Sequence, residues 1–177
     1  MEFGLRIIPE IDVNELEHSQ ISELRNSCFP DHVLDRSYYK QLPHYRVVEY
    51  DEDSLIGYMG LDYRVISVDG QPHKILGVID FCVAPAQQGK GVGSNMMSSV
   101  LSHARSKAVD FVLLVAHSPG IYESLGFQSC EMLSSWLRID EHRNYGVAVE
   151  KINEIYVKQV GSKSWSGSHL DWLGYMF

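Results

Sequence analysis

APAQQGKGVGSNMM, residues 84–97, places glycine at positions 89, 91 and 93, directly before a stretch with helical spacing. Glycine gives up more conformational freedom on folding than any other residue, so three in five positions require a backbone reason. The start of a helix exposes unpaired N–H groups and the positive end of the helix dipole. Without Cβ atoms the main chain there lies open to close approach, and successive amides curl into a nest for an anion such as a phosphate. In QGKGVGS the candidate cradle is formed by the amides of Gly89, Gly91, Val92, Gly93 and Ser94, with Lys90 adding charge beside them.

Two familiar phosphate-binding patterns fail on spacing. A P-loop needs G-x4-G-K-[ST], but Gly93 is followed by Ser94 and Asn95. The dinucleotide fingerprint G-x-G-x-x-G begins with Gly89 and Gly91, yet Ser94 stands in the third glycine's place.

Upstream, IDVNELEHSQISELRNSCF (11–29) predicts a first helix, with Asp12 as cap, Glu15 completing the box, and Val13, Leu16, Ile21, Leu24 and Cys28 on one face. From Tyr45 the composition turns β-branched and aromatic in YRVVEY (45–50), LIGYMGLDYRVISV (55–68) and HKILGVIDFCV (73–83). Asp69-Gly70 is a two-residue hairpin signal, so an antiparallel meander of three strands is expected. The third strand, Ile75 to Val83, is nearly all apolar and reads as buried on both faces.

Downstream, Met96, Met97, Val100, Leu101 and Ala104 mark an amphipathic helix, with Arg105 and Lys107 at its negative end. FVLLVA (111–116) is another buried strand. Strand, glycine loop, helix and strand form a crossover, so the two strands should be parallel neighbours. GIYESLGF (120–127) predicts a short helix ended by Gly126; MLSSWLRI and YGVAVEKINEIYVKQV supply more strand, and the aromatic tail from Ser164 should pack on the body. The class is α/β, a mixed sheet with flanking helices.

The bulk numbers fit one soluble domain spanning residues 1–177, with 45% hydrophobic and 21% charged residues. No apolar run nears the ~20 residues of a membrane span and the N-terminus is no signal peptide, so a cytoplasmic protein without a membrane partner is expected. The three cysteines, Cys28, Cys82 and Cys130, read as buried thiols in a reducing compartment. Metal-ligand spacings are absent, so no metal is expected. A net charge of −8 argues against nucleic acid and suits a cationic partner.

The glycine loop fits the pattern V-x-P-x-x-Q/R-G-x-G-x-G through Val83, Pro85, Gln88, Gly89, Gly91 and Gly93, and GIYESLGF looks like G-F-Y-x-x-x-G-F with Ile121 in place of the first Phe. In these two motifs and their order the chain resembles the GNAT superfamily of acyl-CoA-dependent N-acyltransferases. The resemblance covers most of residues 1–130 and implies a single-domain fold with a splayed central strand pair. Residues 1–130 would form the cofactor-binding core, and 131–177 the strands and tail that shape the acceptor pocket. The tail is similar to the ending of a subset that includes aminoglycoside 2′-N-acetyltransferase and nodulation acyltransferase relatives. Gln88 stands where many relatives have Arg, and AHSPG lacks an Asn that often contacts pantetheine.

The chemistry implied is attack of a neutral amine of a small molecule on the thioester of acetyl-CoA. It requires deprotonation of the ammonium, stabilisation of an oxyanion and a proton for the departing thiolate. The resemblance implies that the pantetheine arm lies along the splayed pair, held by main-chain N–H groups of Phe81, Cys82 and Val83. Tyr122 matches the family tyrosine and is the candidate general acid, with an ordinary pKa near ~10 matched to a thiol. Against this stands a tyrosine that merely anchors a short helix.

Asp80 interrupts the apolar strand; alternation places it opposite Ile79 and Phe81, on a face with Cys82. It is the candidate base, against the reading of a buried acid tied to a neighbour. His117 is the rival base. A covalent role for Cys82 is rejected, because no activating partner is fixed beside it. YDEDS (50–54), LDYR (61–64), Asp171 and the Phe177 carboxylate are the acids offered to an acceptor. A longer acyl donor and a non-catalytic acyl-CoA sensor are the alternatives, and a homodimer is the candidate assembly.

Overall fold

The strand-forming run that begins at Tyr45 folds into three consecutive strands, and the rest of the chain is arranged on them. The structure is a computed structural model that describes residues 4–117 and 119–177. Its strands are β1 (Arg6–Pro9), β2 (Tyr45–Asp51), β3 (Ser54–Val68), β4 (Gln71–Val83), β5 (Phe111–Val115), β6 (Gln128–Asp140), β7 (Arg143–Gln159) and β8 (His169–Tyr175). The helices are α1 (Glu15–Cys28) and α2 (Val92–Arg105), so the class is α/β with a mixed sheet. The chain packs as two compact units, one made of the segment ending at Asp62 with Ile79–Ser99, the other of Tyr63–Val78 with Val100–Phe177.

In the first unit β1 pairs antiparallel with β2, and β2 with β3 from Tyr45↔Leu61 to Asp51↔Ser54. Helix α1 buries Ile21 and Leu24 against Val48, Tyr58 and Cys82. Its cap differs from the expectation: Asn14, not Asp12, accepts from the Glu17 amide, and Glu17 rather than Glu15 returns the bond. Glu10–Asp12 is a separate 3-10 turn, and Leu16 is 68% exposed. The two Asx-x-x-Glu boxes have equal spacing, and burial of Glu17 by its bond to Arg6 selects the second. Arg46 on β2 is fully buried and satisfied by Glu10, the Ser37 carbonyl and hydroxyl, and the Tyr58 hydroxyl. Helix α2 begins at Val92, earlier than its apolar stripe, and sets Met96 against Gly57, where a Cβ would lie 2.4 Å from the sulfur.

In the second unit the strand order is β3–β4–β5–β7–β6–β8, and β8 also pairs with β3, which closes the circuit. The Asp69-Gly70 turn has φ of +46° and +82°, the two-residue hairpin that the sequence signals. Strands β4 and β5 are parallel, as the crossover requires, and their register covers Ile75–Gly77 with Phe111–Leu113 while β5 continues to Val115. Antiparallel β6 and β7 form a long hairpin turned by Glu141 and His142, both at positive φ. The core includes Ile66, Ile75, Phe111, Leu113, Ile155 and Trp172. The aromatic tail packs on the body as expected: Trp172 is fully buried and meets the Phe177 ring edge-on at 5.1 Å.

Phe177 occupies a notch that exists because residue 77 has no side chain; a Cβ there would lie 2.1 Å from its ring. Overpacking of this kind costs about 1–3 kcal/mol. Gly77→Ala is therefore expected to lower stability by about that amount in urea titrations. In the Phe177→Ala background the Gly77→Ala penalty should largely vanish, because the clash partner is gone. Additive penalties in the double mutant would contradict the notch.

Candidate active site

The glycine loop grows out of the end of β4. Ala84 donates its amide to the Ile56 carbonyl at 2.8 Å, and the 3-10 turn Pro85–Gln87 carries the chain over to the loop. Gln87 donates to Asp51 at 3.4 Å, Lys90 to the Gln87 side chain at 3.2 Å, and Gln88 to the Val83 carbonyl at 3.0 Å. The Gln88 side chain therefore anchors the loop to the strand. Gly89 and Gly91 have φ of +74° and +87°, the left-handed region that a side chain disfavours. A Cβ added to either would meet nothing within 4 Å, so the space over both is open. Gly93 lies inside α2.

Asn95 donates its amide to the Gly91 carbonyl at 3.0 Å, which makes Gly91 the helix cap. The amides of Val92, Gly93 and Ser94 precede that first bond and have no acceptor within the helix. Two left-handed glycines, an open face and three leading amides lie together at the start of α2. Their chemistry fits a phosphate or diphosphate held against bare main chain.

Along β4, Asp80 adopts φ +52°, a backbone irregularity in an otherwise regular strand. Its Oδ2 accepts from Arg25 Nε of α1 at 2.8 Å. The Arg25 side chain is 3% exposed and that of Asp80 19%. Among the described residues Oδ1 of Asp80 carries no hydrogen bond, and Arg25 Nη1 is a buried donor without a partner. Cys82 faces α1 as well, in the cluster with Ile21 and Leu24, so Asp80 and Cys82 share a face as alternation requires. Phe81 and Val83 are half-buried.

Arg25 is the residue that the sequence reading missed. Its spacing carried the signal, because Ile21, Leu24, Arg25 and Cys28 fall at i, i+3, i+4 and i+7. A basic residue inside that stripe is buried and must find an acid.

In the second unit Tyr122 precedes the 3-10 turn Glu123–Leu125, which Gly126 ends at φ +80° as the sequence predicts. The Tyr122 carbonyl accepts from Leu125 and Phe127, and its ring meets those of Phe127 and Tyr156. Burial pushes the phenol pKa up, with the Tyr156 phenol adding to the shift. His117, the rival base, lies two residues beyond β5, is 92% exposed and is bonded to Glu154 at 2.9 Å. Three of the acids offered to an acceptor have partners, Asp51 among them through Gln87. Asp62 is buried against His44, and Asp171 accepts from the Leu173 amide.

The model for the acetyltransferase (GNAT) domain matches residues 11–130. No curated protein matches the chain. Among solved structures it is similar to a GNAT family acetyltransferase from Brucella melitensis in complex with acetyl-CoA (13% identity, 94% of this chain and 95% of that chain, TM-score 0.59). It is also similar to the GNAT family N-acetyltransferase YhbS from Escherichia coli in complex with CoA (12% identity, 95% and 88%, TM-score 0.63). With Eis1 from Mycobacterium abscessus the similarity covers 75% of this chain at 14% identity and TM-score 0.62, and this chain spans about a third of that protein, 33%.

The unequal burial of Arg25 and Asp80 predicts unequal mutants. Asp80→Asn leaves a guanidinium charge buried without a counter-ion and should cost about 3 kcal/mol or more in chemical denaturation. Arg25→Met leaves a carboxylate that turns toward water, and should cost less. Equal losses would show that the pair is not set by the burial of the arginine.

Proposed function

The chain belongs to the acetyltransferase (GNAT) family and is an acyltransferase, and on that premise we propose that it moves an acetyl group from acetyl-CoA to the primary amine of a small cationic molecule. The observation that carries the reading is the pair of left-handed glycines with open space above them, opening straight into α2. Bound structures of two similar proteins, one with acetyl-CoA and one with CoA, support the same ligand class. The net charge of −8 favours a cationic acceptor.

Acetyl-CoA supplies a thioester whose acyl group an amine accepts. The amides of Gly89, Gly91, Val92, Gly93 and Ser94 would hold the diphosphate, with Lys90 contributing charge. Main-chain N–H groups of Phe81, Cys82 and Val83 would hold the pantetheine arm. Tyr122 holds a proton at its phenol oxygen for the departing thiolate. Because burial raises its pKa, it remains protonated across the neutral range.

Asp80 accepts the amine's proton at Oδ1, the oxygen that Arg25 does not take. The bond to Arg25 itself favours a second reading, in which Asp80 is a counter-ion and no more. The pH–rate profile of Asp80→Asn separates them, since loss of the limb that reports the base supports the first and an unchanged profile with retained activity supports the second.

Calorimetry with coenzyme A should detect binding to the wild-type chain. Gly91→Ala should weaken it about tenfold, equivalent to about 1.4 kcal/mol, by placing a side chain at left-handed backbone over the cradle. Absence of coenzyme A binding would remove the reading. With acetyl-CoA and a panel of primary amines, thiol release should depend on acceptor addition. Binding without such release would identify a sensor instead. Tyr122→Phe should lower turnover about a hundredfold while leaving coenzyme A affinity unchanged; unchanged turnover would remove the acid role.

A further inference from the structure

The three cysteines do not share one environment. Cys28 is the last residue of α1, half-buried, and donates from its sulfur to the Val83 carbonyl at 3.4 Å. Cys82, next to Val83 on β4, is 7% exposed. Both pack in the cluster under α1, and the Ser27 hydroxyl lies 3.8 Å from the Cys28 sulfur. Cys130 lies in the second unit, packed against its core and bonded to Trp165. The arrangement at the end of α1 thus joins a thiol that solvent reaches to one that solvent does not.

Their closeness also divides the acidities. The neighbouring Cys82 thiol, opposed by burial and helped by Ser27, pulls Cys28 down to about 6, and the neighbouring Cys28 thiol together with burial pushes Cys82 up. Of the two, the more accessible sulfur is therefore the one that more readily gives up its proton to become the reactive thiolate.

We propose that Cys28 and Cys82 form an oxidative modification site, closed to a disulfide by hydrogen peroxide, that ties the end of α1 to the strand bearing Phe81–Val83. In the first step Cys28 gives up its proton, and with it the bond to Val83, and the thiolate attacks one oxygen of hydrogen peroxide. An S–O bond forms, the O–O bond breaks, and the leaving hydroxide takes up the thiol's released proton as water. In the second step the Cys82 sulfur, losing its proton, displaces the hydroxyl from Cys28; an S–S bond forms, the S–O bond breaks and a second water leaves. Two thiols have then lost two protons and two electrons, and one hydrogen peroxide has been reduced to two waters.

The disulfide has no S–H to donate. Val83 thereby loses one of the two donors on its carbonyl, keeping only Gln88. This residue ends β4 and leads into the glycine loop, so oxidation is expected to reduce turnover.

The test treats the reduced full-length chain with hydrogen peroxide and then alkylates it with N-ethylmaleimide in denaturant. Alkylated thiols should fall from the three in the sequence to one. Peptide mapping should find a Cys28–Cys82 link that dithiothreitol releases. Cys28→Ser should give no link. Turnover of acetyl-CoA with an accepted amine should fall several-fold on oxidation and return with dithiothreitol, and Cys28→Ser turnover should not respond to peroxide. Sulfinic acid at Cys28 with Cys82 still alkylated, or a link through Cys130, would overturn the site. A fully linked protein with undiminished turnover would overturn its effect on the strand. The mass measurement is independent of the acetyl-transfer reading and the turnover measurement rests on it, so their failures are distinguishable.

Discussion

A guanidinium removed from water needs a counter-charge close by, and Arg25 has one in Asp80. The bond joins α1 to β4 at the residue where the strand leaves regular geometry. The chain beyond Asp80 inherits its position from that bond: Cys82 enters the apolar cluster under α1, Val83 ends the strand, and the next residues are tied back through Ala84 and Gln88. Burial of a paired charge contributes little net stability on average, because desolvation offsets attraction; its value here is geometric.

The sheet and the loop were legible because their signals are local. Asp69-Gly70 fixes a hairpin by its own backbone preferences, and β4 and β5 are parallel because the intervening helix leaves no other short route. Gly126 ends its turn in the conformation that glycine alone adopts freely. The α1 cap was misplaced because two boxes with identical spacing overlap, and the choice between them rests on Arg6, a partner on β1. That strand, only four residues long, has too few positions to display a period.

The site residues divide in the same way. Glycines announce themselves by composition, and Gly89 and Gly91 hold the conformations that their presence suggests. Asp80 was visible as a polar interruption, but its partner lies on another element and no spacing within β4 points to it. The pairing of β8 with both β6 and β3 was likewise hidden, since closure of the second unit depends on partners far apart in sequence. The aromatic composition of that segment indicated burial without indicating against what.

The Val83 carbonyl receives the Cys28 thiol from one side and the Gln88 side-chain amide from the other. A carbonyl oxygen has two lone pairs, and both are engaged. Anything lying along this end of β4 therefore finds a saturated acceptor at that residue and gains nothing by offering it a hydrogen.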